Sequence, residues 1–153
     1  MKKKETATLI FGILFMLYAA MMLWLLFDRP SDGGGLSYWS QVKLNLNLVP
    51  LRTVALYIRT LMNTGNAYLL RHAIINLAGN VIMFIPLGAL LPAIWPTLRK
   101  FWKCWLCSAG CIAVIEILQL FTLLGSCDID DLILNLVGVS IGFGCYILLR
   151  PKN

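Results

Sequence analysis

Charge is scarce in this sequence. Asp, Glu, Lys and Arg together make up only 13% of its 153 residues, whereas a soluble domain carries about a quarter. Hydrophobic residues make up 59%, so too little polar surface is present to cover a water-soluble globule. The composition excludes that class and predicts an integral membrane protein that forms a single domain over residues 1–153.

Histidine and paired cysteines are also lacking. His72 is the only histidine, and four of the five cysteines fall within apolar runs, where cysteine acts as a small hydrophobic residue. Cys104 and Cys107 have the spacing of a metal or redox half-site, but no second pair accompanies them. The sequence therefore predicts no cofactor. The formal charge of +6 is typical of a membrane-topology signal, so no nucleic-acid partner is expected.

Four apolar segments are long enough to cross a bilayer as helices, which takes about 20 residues each. They cover residues 7–27, 73–95, 102–124 and 132–149. The predicted fold class is all-α integral membrane, with four transmembrane helices. The first segment follows three lysines but lacks a cleavage site of small residues, so it is predicted to be an uncleaved anchor.

The distribution of basic residues predicts the orientation. Lysine and arginine flank the first span on its N-terminal side, follow the second span at residues 99–103 and follow the fourth span at residues 150–152. The positive-inside rule then places both termini in the cytoplasm and residues 28–72 outside a bacterial plasma membrane. Segment 28–72 also holds Lys43, Arg52, Arg59 and Arg71, but long loops count less in this rule.

Residues 51–62, LRTVALYIRTLM, repeat their apolar side chains with helical spacing and carry Arg52 and Arg59 on the other face. This pattern is typical of an amphipathic helix that lies in the membrane interface between the first and second spans. A surface helix packed on the bundle fits the pattern equally well. The run Asn63–Asn66 predicts the end of the helix.

Polar side chains within the spans are informative because a bilayer makes them costly. Three spans carry such residues in the half of the membrane that the predicted orientation places outside: Asn76 and Asn80 in the second, Glu116 and Gln119 in the third, and Asp131 and Asn135 in the fourth. A random scatter would not favour one half of the membrane. We predict that these residues meet in one outer-leaflet polar pocket.

Three acids, Asp128, Asp130 and Asp131, precede the fourth span. Asp128 or Asp130 is predicted to cap the N-terminus of the fourth helix, and one carboxylate is enough for that role. The surplus predicts pairing with Arg52, Arg59, Arg71 or His72, or contact with a ligand. A divalent cation held by the three acids is a weaker alternative, because hard cations favour clustered carboxylates.

Four stretches resemble the VanZ-like family of small bacterial membrane proteins. They are NLNLVPLRTV (45–54), INLAGNVIMFIPLGALLP (75–92), EILQ (116–119) and DIDDLILNLVGVSIG (128–142). The positions that match the family's motifs are Asn47, Pro50, Asn76, Asn80, Phe84, Pro86, Gly88, Glu116, Gln119, Asp128, Asp131, Asn135 and Gly138. The family takes its name from a member associated with low-level teicoplanin resistance. The resemblance implies a role in the cell envelope and names no reaction.

Three functional hypotheses follow from the sequence. The first is a non-enzymatic protein whose polar pocket binds membrane lipid head groups, a cell-wall precursor or a lipophilic glycopeptide antibiotic. Its predicted ligand-binding residues are Asn76, Asn80, Glu116, Gln119, Asp128, Asp131, Asn135, Arg52 and Arg59. The second is an intramembrane enzyme that acts on a lipid-linked substrate, with Glu116 or Asp131 as the general base. In the third, a scaffold or assembly factor, the polar residues only join helices to one another. The oligomeric state is left open.

Overall fold

The computed structural model describes the backbone of residues 2–27 and 35–150. In chain order, the elements are α1 (Lys2–Phe27), α2 (Tyr38–Leu44), β1 (Leu46–Asn47), α3 (Arg52–Asn63), α4 (Ala67–Ile94), a 3₁₀ turn (Pro96–Arg99), α5 (Phe101–Thr122), β2 (Cys127–Asp128) and α6 (Ile129–Leu149). Within these ranges, four helices are long and apolar enough to cross a membrane: α1, α4, α5 and α6. The predicted fold class is confirmed.

One helix boundary differs clearly from the prediction. Helix α4 begins at Ala67, six residues before the predicted start at residue 73. Asn66 causes the early start, because its side chain accepts hydrogen bonds from the backbone N–H groups of Tyr68 and Leu69. The first turns of α4 carry Arg71 and His72, so hydropathy alone gives no signal for them.

Helices α4 and α6 form the closest pair in the bundle. A methyl group added to Gly138 would overlap the carbonyl oxygen of Val81, and one added to Gly142 would overlap the carbonyl oxygen of Ile85. The two helices therefore touch backbone to backbone, as small residues allow in membranes. This contact brings the polar side chains of α4 beside those of α6.

Helix α1 packs against the bundle through one side. Its buried residues are Tyr18, Met22 and Leu26, whereas most of its other apolar side chains are exposed. The Tyr18 hydroxyl donates to the Met83 carbonyl oxygen at 2.9 Å, and the Gln119 amide donates to the Leu26 carbonyl oxygen at 2.9 Å. These two bonds fix α1 against α4 and α5.

Residues 35–66 fold over one end of the bundle. Strand β1 pairs with β2 in parallel, with Leu46 opposite Cys127 and Asn47 opposite Asp128. The Tyr38 hydroxyl of α2 donates to the Phe121 carbonyl oxygen at 2.8 Å. Helix α3 forms where a helix was predicted and has no buried residue. This end of the bundle contains the C-termini of α1 and α5 and the N-termini of α4 and α6.

Candidate functional site

Asp128 joins the β1–α3 segment to the start of α6. Its carboxylate accepts hydrogen bonds from the Asn47 side-chain amide at 3.1 Å and from the Thr53 hydroxyl at 2.6 Å. It also accepts from the backbone N–H of Asp130 at 2.9 Å, so it is the N-cap of α6. The predicted capping role is confirmed for Asp128.

Asp130 caps a different helix, α3. Its carboxylate accepts from the backbone N–H groups of Leu51, Thr53 at 2.8 Å and Val54 at 3.0 Å. The N-cap residue of α3 is Leu51, whose hydrocarbon side chain accepts no hydrogen bond and whose φ of 63° is left-handed. Asp130, which is 0% exposed, supplies the hydrogen-bond acceptor that Leu51 lacks, although it lies 79 residues later in the chain.

The prediction for the surplus acids is therefore corrected. The hydrogen bonds of Asp128 and Asp130 go to amides, a hydroxyl and backbone N–H groups rather than to arginine or histidine. The third acid, Asp131, accepts from the Asn80 side-chain amide. In residues 2–27 and 35–150, no group of three or more His, Cys, Asp or Glu side chains could hold a metal ion.

The polar residues of the spans meet around one small cavity. Its volume is about 20 Å³, which is room for a single water-sized group. The lining residues are Leu26, Asn80, Phe84, Ile115, Glu116, Gln119, Ser126, Asp131 and Asn135. Of the six predicted pocket residues, the structure brings five together. The hollow is smaller than the head-group pocket that the sequence suggested.

Asn76 is the predicted pocket residue that lies apart. It precedes Asn80 by one helical turn but does not line the cavity, and its side-chain oxygen is buried without a hydrogen-bond partner. A separation of four residues, which places two side chains on the same face of a helix, is therefore not enough to bring both amides to the cavity.

Two carboxylates and one amide oxygen give the cavity its chemistry. Asn135 is only 3% exposed, and its side-chain oxygen has no hydrogen-bond partner. Glu116 is 7% exposed and accepts from the backbone N–H of Asp128 at 3.3 Å, which ties the cavity to the α6 N-terminus. The lining is therefore rich in acceptors, and an occupant has to donate hydrogen bonds or carry positive charge.

The two predicted basic residues lie outside the cavity. Arg52 is the first residue of α3 and Arg59 lies two turns further along, and both are exposed. Their helix begins at the Asp130 carboxylate, and Asp130 is followed directly by Asp131 of the cavity. The first turn of α6 therefore contacts the start of α3 through Asp130 and lines the cavity through Asp131.

Several site residues carry little signal in the sequence. Thr53 is one of many hydroxyl residues, and it lies 75 residues before Asp128 in the sequence. Only the fold, which brings its hydroxyl to the Asp128 carboxylate, reveals its role. Ser126, the one exposed residue among those that line the cavity, is likewise unremarkable in sequence. Asn47 was identified in the sequence only because it matches a motif of the family that the chain resembles.

The fold and site define a small multi-pass membrane protein whose acids and amides gather at one end of a helix bundle. The chain belongs to the VanZ/LLP1 family, whose family model matches residues 15–150. No curated protein and no solved structure matches the chain.

Proposed function

We propose that this protein is a non-enzymatic envelope protein that binds the head group of a membrane lipid or of a lipid-linked wall precursor. The observation that carries the proposal is the convergence of polar side chains from α4, α5 and α6 on one cavity beside the basic face of α3. Helices held together by separate polar pairs have no need of a shared, acceptor-rich hollow.

Helix α3 supplies the surface on which a head group rests. Its apolar residues Ile58, Leu61 and Met62 are exposed, and so are Arg52 and Arg59. An exposed apolar stripe beside basic residues suits the boundary between acyl chains and head groups. In this proposal α3 lies in the membrane interface, where each arginine attracts an anionic phosphate by about 1 kcal/mol.

The proposal places the site at the outer face of a bacterial plasma membrane, with both termini in the cytoplasm. Two cysteine substitutions in an otherwise cysteine-free chain test this orientation. Gly65 lies in the loop between α3 and α4, where an added side chain meets nothing, and Thr97 lies exposed in the opposite loop. A membrane-impermeant maleimide on intact cells should label Gly65→Cys and leave Thr97→Cys unlabelled. The reverse pattern would place the cavity in the cytosol.

A lipophilic glycopeptide such as teicoplanin presents charged groups and an apolar tail, as a membrane lipid with a charged head group does. It is therefore included as a ligand in the binding experiment. The enzyme hypothesis, with Glu116 or Asp131 as acid or base, has no structural observation in its favour. Its test is a comparison of lipid and precursor profiles with and without the protein, in which only an enzyme yields a converted species.

The binding experiment uses native mass spectrometry of the full-length protein with anionic lipids and teicoplanin. Arg52→Gln combined with Arg59→Gln should weaken anionic-lipid binding about thirtyfold, because two surface cations worth about 1 kcal/mol each are lost. Arg71→Gln, an equally exposed change outside α3, is the matched control and should have a small effect. Equal lipid binding by all these variants would remove the basis for the proposal.

A further inference from the structure

The small size of the cavity restricts what can enter it. A volume of about 20 Å³ holds one water-sized group and excludes a phosphate, a sugar or a quaternary ammonium with its methyl groups. A head group bound here must therefore place most of its atoms outside and insert a single small terminal group. A primary ammonium is of that size.

The hydrogen-bonding character of the lining selects the same group. The Asn80 and Gln119 amides already donate to Asp131 and to the Leu26 carbonyl oxygen. The lining also contains the carboxyl groups of Glu116 and Asp131 and the side chain of Asn135, whose oxygen has no hydrogen-bond partner. An ammonium has three donors and no acceptor, and it carries the opposite charge to the carboxylates.

Asn135 gives independent support for a group bound in the cavity. The residue is only 3% exposed, its side chain is among those that line the cavity, and its side-chain oxygen is buried without a hydrogen-bond partner. Buried polar atoms are nearly always paired, so an unpaired one beside a hollow points to a group that is bound there. Ser126, one of the residues that line the cavity, is exposed.

We infer that the cavity receives the primary ammonium of a lipid head group, with Asn135, Glu116 and Asp131 as its acceptors. This inference rests on the proposed function and specifies its ligand class: an aminated head group of the phosphatidylethanolamine type. Phosphatidylcholine is excluded by its methyl groups, and phosphatidylglycerol offers no cation.

The test is a competition among three lipids for the full-length protein, measured by native mass spectrometry. Phosphatidylethanolamine, phosphatidylcholine and phosphatidylglycerol with identical acyl chains are supplied in equal amounts. Charge-assisted hydrogen bonds from the ammonium should favour phosphatidylethanolamine over phosphatidylcholine by about tenfold or more. Glu116→Gln and Asn135→Ala should each reduce that preference to less than about threefold.

Asn76→Ala is the matched control for Asn135→Ala. Both side-chain oxygens are buried and unpaired, but Asn76 does not line the cavity. Asn76→Ala should leave the preference for phosphatidylethanolamine unchanged. Thermal unfolding of each variant shows whether it is folded, and only variants that unfold cooperatively enter the comparison. If Asn135→Ala does not fold, Glu116→Gln carries the test alone.

The outcomes separate the inference from the proposal on which it rests. Equal binding of the three lipids, with the arginine dependence intact, overturns the ammonium site and leaves head-group binding standing. A preference for phosphatidylethanolamine that survives both cavity variants also overturns it, because the amine is then recognised elsewhere. Binding of none of the lipids overturns both.

Discussion

The buried carboxylate of Asp130 accepts a hydrogen bond of 2.8 Å from the backbone N–H of Thr53, 77 residues earlier in the chain. This bond and its neighbours from Leu51 and Val54 hold the first turn of α3 against the first turn of α6. Together with the Thr53 hydroxyl, which donates to Asp128, these bonds fix the start of the basic helix relative to the cavity.

Replacing Asp130 with Asn should release the start of α3. The amide keeps the size of the side chain but removes its charge and one acceptor, so N–H groups of α3 lose their partner. We expect the free energy of unfolding in mixed micelles to fall by about 2 kcal/mol. Trypsin should cut faster after Arg52 and Arg59.

Thr60→Ala is the control for this change, because the Thr60 hydroxyl bonds only to the Leu56 carbonyl oxygen within α3 itself. Its trypsin pattern should match that of the unaltered chain. If Asp130→Asn is as resistant to trypsin as the control, the capping bonds do not hold α3 in place.

Alanine at either glycine of the α4–α6 contact should destabilise the bundle. The added methyl group of Gly138→Ala or Gly142→Ala would meet a backbone carbonyl oxygen of α4, and separating the helices should cost about 1–3 kcal/mol. Gly144→Ala, on the same helix, meets nothing within 4 Å and should change stability by less than about 0.5 kcal/mol. Unfolding in mixed micelles measures all three variants, and equal effects at the three positions would contradict the packing described.

The thiol of Cys127 should react slowly at neutral pH. Burial, followed by the nearby Glu116 and Asp128 carboxylates, raises the pKa of the Cys127 thiol above its ordinary value. Because the thiolate is the reactive form, its fraction at a given pH is smaller than for a free cysteine. We expect the labelling rate to keep rising at pH values where a free cysteine has levelled off.

Labelling of Cys127 in a chain without the other four cysteines measures this pH profile. Glu116→Gln removes one of the two carboxylates and should shift the profile to lower pH. A profile for Cys127 that coincides with that of free cysteine would contradict the burial and charge around the thiol.

The parts of the fold that depend on composition were predictable. Helices α1, α5 and α6 lie close to the predicted spans, because a run of about 20 apolar residues has the length and composition of a helix that crosses a bilayer. The helix over residues 51–62 was also predictable, from its periodicity. The two-residue strands β1 and β2 were not, since their pairing depends on the contact between residues 45–47 and 127–128 rather than on any local pattern.

Most residues of the site were predictable from the sequence, but the arrangement of their side chains was not. Glu116, Gln119, Asp131 and Asn135 were predicted to meet because they lie in the same half of the membrane, and the structure gathers them around one cavity. The roles of the acids were harder to assign. Asp130 and Asp131 are neighbours in sequence, yet one caps α3 and the other accepts from Asn80, because helix rotation points adjacent side chains in different directions.

The most direct test of the account is solid-state NMR on the protein in bilayers of phosphatidylethanolamine, with isotope labels in the head-group nitrogen and the Asn135 side chain. We expect the nitrogen of one bound lipid to lie about 3 Å from the Asn135 side-chain oxygen. Bilayers with labelled choline should show no such proximity. Water or a side chain of the protein in the cavity, with every head-group nitrogen remote from Asn135, would contradict the account.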